Sequence, residues 1–413
     1  MTPTQRRVGG LSLLAFLMMA SYAVARPAAE SLFLEAHGSE ALPWAWVGVA
    51  LLATAAVSAY NRLVPGRELI WLFGGAGVAS GALLAALLLA ERAGVPGVYY
   101  ALYAWKDVYV IVLLESFYAF ADAVFPIRTA RWVYGWLGMV AAAGGVVGNL
   151  SVGRLARAWG TAETLWLVLP LLGLMVAIAW ALSRSAGRSA PPLVDERPGL
   201  LAGMQVVRSS RYLGLMLALV VAAQITITLV DLQFNQAMEL AYPEQDVRTG
   251  VFGQVYAAID TGSLILHALS GVILRLTGAP LILLAVPLLL GASVGLHAAV
   301  PIFAAAAFAK WSSKAFDYSI HRTARELLYI PLGMRQKTEG KAVVDILGYR
   351  VAKGLAAALL LALSTLGSFD QVGAVTLAVI SVWLALAALI GRRFRGLVSR
   401  DEELRRPPAG DAP

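Results

Sequence analysis

Runs of about twenty apolar residues recur from one end of this 413-residue chain to the other, and no other feature restricts its fold so tightly. Hydrophobic residues make up 59% and charged residues 14%, with a mean hydropathy of +0.72, a balance no soluble domain reaches. A segment in hydrocarbon must satisfy its own backbone hydrogen bonds, and the alternation of a barrel strand is missing, so each run predicts a helix. The predicted spans are 8 to 34, 43 to 62, 68 to 90, 97 to 124, 132 to 153 and 163 to 183, then 212 to 239, 250 to 275, 279 to 298, 300 to 321, 341 to 366 and 371 to 391. The first lacks a clean small-residue cleavage site and reads as a retained helix. The expected fold is an all-α membrane protein of about twelve spanning helices in two pseudo-symmetric six-helix bundles, residues 1–183 and 212–391. A polar linker at 184–211, rich in Ser, Pro and Arg, joins them, and 392–413 forms a charged tail.

Lysine and arginine collect on one side of this topology: Arg6 and Arg7, Arg62 and Arg67, Arg128 and Arg131, the linker, Arg275, the 322–341 segment and the tail. Glu35, Glu40, Glu244, Asp246 and Asp370 fall on the other, with Arg154 and Arg157 as exceptions. By the positive-inside bias both termini are cytoplasmic, in a multi-pass protein of the cell membrane whose direct surroundings are lipid. The formal charge of +8 is then mostly a topology signal, and no soluble domain is left to bind nucleic acid. With no cysteine and four histidines, thiolate sites and thiol nucleophiles are excluded, and neither a metal nor a cofactor is expected. No phosphate loop, dinucleotide glycine pattern, HExxH or nucleophile elbow appears, so no enzyme is predicted.

Ionisable residues inside spans cost several kcal/mol unless they pair or reach water, so they mark the working parts. SYAVARPAAESLFLEA in the first helix aligns without a gap with TITLVDLQFNQAMELA in the seventh, placing Arg26 and Glu30 opposite Asp231 and Asn235. Each pair is spaced four apart and shares a helix face. The fourth helix carries Lys106, Asp107, Glu115 and Asp122; at about 100° per residue Glu115 and Asp122 share a face, and Glu115 reads as the buried carboxylate. The tenth carries Lys310, Lys314, Asp317 and His321 as one stripe, in which Lys314 and Asp317 are expected to pair in the empty site. In the eleventh, Lys341 and Asp345 are four apart, and Asp345, Tyr349 and Lys353 recur every fourth residue. The bland alternative for each is a helix end that snorkels its charge to the interface. Gly144, Gly145, Gly148, Asn149 and Gly153 form a small-residue strip suited to close helix packing.

The segment after Lys310 resembles the signature of the ATP/ADP translocases of intracellular bacteria and plastids, a branch related to the major facilitator superfamily. The matching residues are Lys314, Asp317, Thr323, Arg325, Glu326, Tyr329, Ile330, Pro331, Leu332, Lys337, Gly340, Lys341, Ala342, Asp345, Arg350 and Lys353. ITLVDLQFNQAMELAYP and FYAFADAVFPIRTARWVYGWLG resemble further segments more weakly. The chain departs where the family's first helix has a lysine, here Ala29, and where its seventh has a Glu and a Lys, here Asp231 and Asn235. Resemblance implies alternating access and nucleotide exchange, while the lost cations argue for a substrate less charged than ATP.

The combined reading is a monomeric secondary transporter of an organic anion, with a nucleotide as one candidate. Lys310, Lys314 and Lys353 would hold anionic oxygens in a substrate site that also includes Arg26, Asp231 and Asn235, Asp231 and Glu115 would gate or carry protons, Tyr318 and Tyr349 would stack on a ring, and Asp107, Asp122, Asp317 and Asp345 would gate or couple. Two alternatives stand beside it, a proton-coupled transporter of a smaller metabolite and a membrane component that only binds.

Overall fold

The computed structural model describes residues 3–125, 127–185, 200–366 and 371–405. Residues 186–199 of the predicted linker, Asp370 and the end of the tail lie outside the described residues, as do the side chains of Arg6, Arg128 and Arg131. The long elements are α1 (Pro3–His37), α2 (Leu42–Leu63), α3 (Leu69–Arg92), α4 (Val98–Val124) and α5 (Ile127–Trp159). A short turn of helix, α6 (Thr161–Thr164), leads into α7 (Val168–Ser185). Then come α8 (Leu200–Ser209), α9 (Arg211–Ala241), α10 (Gln245–Thr277), α11 (Ala279–Ala299), α12 (Phe303–Tyr318), α13 (Ile320–Leu327), α14 (Gly348–Thr365) and α15 (Val372–Arg405). At about 1.5 Å per residue, the 33 residues of α10 reach well beyond a hydrocarbon core.

Ten of the described helical segments are long and apolar enough to cross a membrane, as expected of a multi-pass membrane protein. Two of the twelve predicted spans lie outside this set. One is α4, with four charged residues in 27. The other is the predicted span 300 to 321, which is not a single helix: α12 ends at Tyr318, Ser319 takes a non-helical conformation (φ −124°, ψ −103°), and α13 begins at Ile320. The eleventh span starts earlier than predicted, in two π-helical turns, Gln336–Gly340 and Val343–Leu347, ahead of α14.

The chain divides into two compact units. One takes the described residues of Met1–Val194 and Asn235–Leu264, the other those of Asp195–Phe234 and Ile265–Pro413. Each has its own apolar core. Leu14, Phe73, Leu102, Leu113, Val152 and Leu172 belong to the first, and Leu213, Leu283, Leu290, Leu328, Trp383 and Ile390 to the second.

In the first unit glycines set the distance between helices. A Cβ on Gly144 would lie 2.2 Å from the carbonyl oxygen of Phe16 on α1, and one on Gly148 2.6 Å from that of Ala20. Along the same helix, a Cβ on Gly153 would meet the Cα of Gly250 on α10 at 2.7 Å. Backbone contacts this close admit no side chain, so the glycine strip legible in the sequence is a packing surface. The turn from α9 to α10 is held to α1 by the buried Arg248. Its guanidinium donates to the Ser31 carbonyl (2.9 Å) and hydroxyl (3.1 Å), to Glu35 (2.6 Å) and to the Tyr242 carbonyl (3.3 Å).

Substituting Gly144 with Ala therefore forces α1 and α5 apart and should lower stability by about 1–3 kcal/mol. Gly135, whose Cβ position is open, should accept Ala unchanged. Thermal unfolding of the purified variants, followed by fluorescence-detected size exclusion, checks the contrast. Equal midpoints would refute the packing role of the strip.

Candidate functional site

In the first unit a chain of ion pairs runs from α1 to α4. Arg26 and Glu30, one turn apart on α1, pair at 3.2 Å. Lys106 of α4, only 2% exposed, reaches Glu30 at 3.4 Å and donates to Asp107 at 2.9 Å. Glu30 also accepts the hydroxyl of Tyr256 on α10, whose ring lies 3.7 Å beneath the Arg26 guanidinium. Nearby, Asn149 of α5 donates to Asp260 of α10 at 3.0 Å. Gly145 makes room for that carboxylate, since a Cβ there would stand 2.9 Å from its oxygen.

In the second unit α9 and α12 build a simpler arrangement. Asp231 receives both Lys310 (2.8 Å) and Lys314 (3.0 Å). Lys310 is 2% exposed and also lies 5.1 Å from the centre of the Phe234 ring, while the Lys314 side chain keeps 13% exposure. Two ammonium groups thus share one carboxylate in a largely dry setting. One turn further along α12, Asp317 accepts a hydrogen bond from Gln224 of α9 (3.3 Å) and faces His321 and Arg325 of α13 at 3.5 and 3.6 Å.

The predicted residues divide accordingly. Arg26 and Asp107 come together in the first unit, and Asp231, Lys310, Lys314 and Asp317 in the second. The snorkelling alternative for Lys310 fails, because the side chain is buried on a carboxylate. Lys314 pairs with Asp231: α9 brings that carboxylate to both lysines, a tertiary contact that helical spacing cannot reveal. Lys341 likewise bonds Glu326 (2.5 Å), leaving Asp345 to accept the Tyr329 hydroxyl (3.3 Å). Burial and the Asp345 charge hold that phenol above its usual range, so it stays protonated and able to donate. Asn235 is buried one turn beyond Asp231.

Glu115, read from sequence as the buried carboxylate of the fourth helix, is exposed, and Asp122, also exposed, accepts the Tyr134 hydroxyl. The buried ion of that helix is Lys106, on the face turned toward α1. Lys353 places its ammonium 5.2 Å from the Tyr349 ring and meets no carboxylate among the described residues. Tyr318 and Tyr349 are exposed. Lys106 and Asn149 stand in the sequence reading without a place in the site, and Tyr256 and Asp260 are absent from it. Asp260 had a visible signal, a lone carboxylate within an apolar span, whereas Tyr256 and Asn149 carry none outside their tertiary contacts.

Residues 193–394 match the family described as TLC ATP/ADP transporter. The chain is similar to ADP,ATP carrier protein 2, chloroplastic, of Arabidopsis thaliana, with 24% identity over 342 residues, 72% of this chain and 54% of that protein. It is also similar to ADP,ATP carrier protein 5 of Rickettsia felis, with 27% identity over 229 residues, 47% of this chain and 43% of that one. The chain therefore spans about half the length of these relatives. Among solved structures, a POT family transporter superposes with a TM-score of 0.66 at 11% identity over 98% of this chain and 99% of its own. The nucleoside transporter NupG gives 0.61 at 10% identity over 97% and 99%. A fold shared with membrane transporters is what the helix pattern led us to expect. Residues 193–394 thus match the TLC ATP/ADP transporter family, in a chain whose fold is shared with these two transporters.

Proposed function

We propose that this protein is a secondary active transporter that moves an anionic nucleotide of the ADP/ATP class by alternating access. The observation that carries the reading is the Lys310–Asp231–Lys314 cluster. Two ammonium groups converge on one carboxylate where water is scarce, and a phosphate oxygen can take the place of Asp231 on Lys314 at little desolvation cost. The more accessible Lys314 meets the phosphate first, and Lys310 stays as the buried counter-charge. Tyr318, whose ring centre lies 6.0 Å from the Lys314 ammonium, is exposed and available to stack on a base. Support also comes from the TLC ATP/ADP transporter match, which covers Asp231 and both lysines, and from relatives named as ADP,ATP carriers. The protein acts as a single chain in the cytoplasmic membrane with both termini inside, as the distribution of Lys and Arg suggests.

In liposomes loaded with ADP, the reconstituted protein should take up labelled ADP, and empty liposomes should take up little. Lys314→Gln should cut that uptake by about tenfold or more with folded yield unchanged, since a lost charge-assisted bond to phosphate is worth about 1.5–3 kcal/mol. Wild-type uptake by the variant would remove Lys314 from the site.

Stability should respond in a set order. Asp231→Asn leaves two buried ammonium groups without a carboxylate and should cost about 3–5 kcal/mol, whereas Lys310→Met leaves Asp231 still paired with Lys314 and should cost less. Unfolding midpoints in one detergent read the order directly, and the reverse order would show that the lysines are not held by Asp231.

A further inference from the structure

The break between α12 and α13 is surrounded by buried polar atoms that the anion site leaves unused. His321 is 0% exposed, and neither ring nitrogen has a hydrogen-bond partner in the protein. Its Nδ1 stands 3.5 Å from Asp317 Oδ1, outside hydrogen-bond geometry, and that oxygen too is without a bond. The Nε of Arg325 and the indole N–H of Trp383, whose ring meets the imidazole edge-on at 5.3 Å, complete a set of five buried atoms in the same condition. Buried polar groups in folded proteins are nearly always paired, and a cluster that is not points to a site whose occupancy or charge changes. Discontinuous helices in transporters are also where coupling ions bind.

The surroundings narrow the ion to a proton. The groups that face His321 are Asp317 and, a turn earlier, Lys314 from α12, Arg325 from α13, Gln224 from α9 through its bond to Asp317, and Trp383 from α15. Neither α11 nor the stretch of α15 before Arg392 carries an Asp, Glu, Lys or Arg, and the one histidine of α11, His297, sits near its end. One carboxylate oxygen is too few for a metal cation, and a fully enclosed imidazole is too tight for a second organic anion. A proton fits: on Nδ1 it makes the imidazole a donor toward Asp317 Oδ1, and on leaving it restores the neutral ring, with no other bond changed.

We propose that the α12–α13 break is a proton-binding site in which His321 gains and loses the proton and Asp317 holds the protonated ring. The site is coupled to the anion cluster through charge. Lys310 and Lys314 pair with Asp231, and Arg325 faces Asp317. An anion on Lys310 and Lys314 brings negative charge nearer His321 and raises its affinity for a proton. By reciprocity, protonation tightens anion binding by the same factor. This coupling rests on the anion site proposed above; the proton site does not.

Two measurements on the intact protein in nanodiscs separate these parts. The first is 15N NMR of labelled histidine from about pH 5 to about pH 8, with the His321 signal identified by its loss in H321Q. His321 should pass from neutral to protonated within that range, and D317N should move the transition to lower pH. A single charge state throughout, or a transition that D317N leaves in place, would overturn the site. The second is binding of labelled ADP at the two ends of the range. Wild type should bind about fivefold or more tightly at the acid end, a gain that H321Q loses. Equal pH dependence in both proteins would reflect the nucleotide's own ionisation and would overturn the coupling. If ADP fails to bind at either pH while His321 titrates and D317N shifts it, the nucleotide reading falls and the proton site stands.

Discussion

An ammonium group in a membrane-spanning helix has to be neutralised where it stands, and this need organises both units. Lys106 in the first and Lys310 in the second are equally buried, each on the charged helix of its half, and each reaches a carboxylate on another helix, Glu30 or Asp231. Removing one partner of such a pair costs several kcal/mol, about as much as the whole stability margin of many domains. The charged helices α4 and α12 are thereby tied in register to α1 and α9. The glycine contacts of α5 act on the same problem from the other side: they bring backbones close enough that Asn149 and Asp260, on two different helices, can satisfy each other.

The two halves keep this device and differ in charge. In the first unit Arg26 and Lys106 are matched by Glu30 and Asp107, with Asp260 close by, and no cation is in excess. In the second, Lys310 and Lys314 share one carboxylate. Where the resembling family has a lysine in its first helix, this chain has Ala29, which is 1% exposed and packed into the core. The missing cation is therefore not replaced by a neighbour at that position; its space is filled with apolar contact.

Helices were legible because apolar runs of bilayer length leave a chain little choice, and the predicted spans differ from the observed helices chiefly at their ends. The break at Ser319 was not, since the run 303–327 through it keeps helical spacing and holds neither Gly nor Pro. The site was half legible. Spacing on one helix brought out Lys310, Lys314 and Asp317 but not the carboxylate that the two lysines share, because Asp231 arrives from α9. The misreading of Glu115 has a related cause: mid-span position says that an ion is costly, and only the packing says which face it takes, buried for Lys106 and exposed for Glu115.

Charge also bears on what such a site can carry. Two lysines that already share a carboxylate compensate one anionic oxygen better than a fully ionised triphosphate, because each further uncompensated charge in a dry site adds its own desolvation penalty. A nucleotide can meet that limit by binding with fewer charges or by bringing a cation with it. A buried histidine beside Asp317, one turn from Lys314, offers the second route without a permanent lysine: it supplies positive charge when the anion is present and withdraws it when the anion leaves. A fixed lysine holds the anion with the same strength at every stage of the cycle, whereas a charge that comes and goes lets binding be tight and release easy, which is what a carrier needs and a storage site does not.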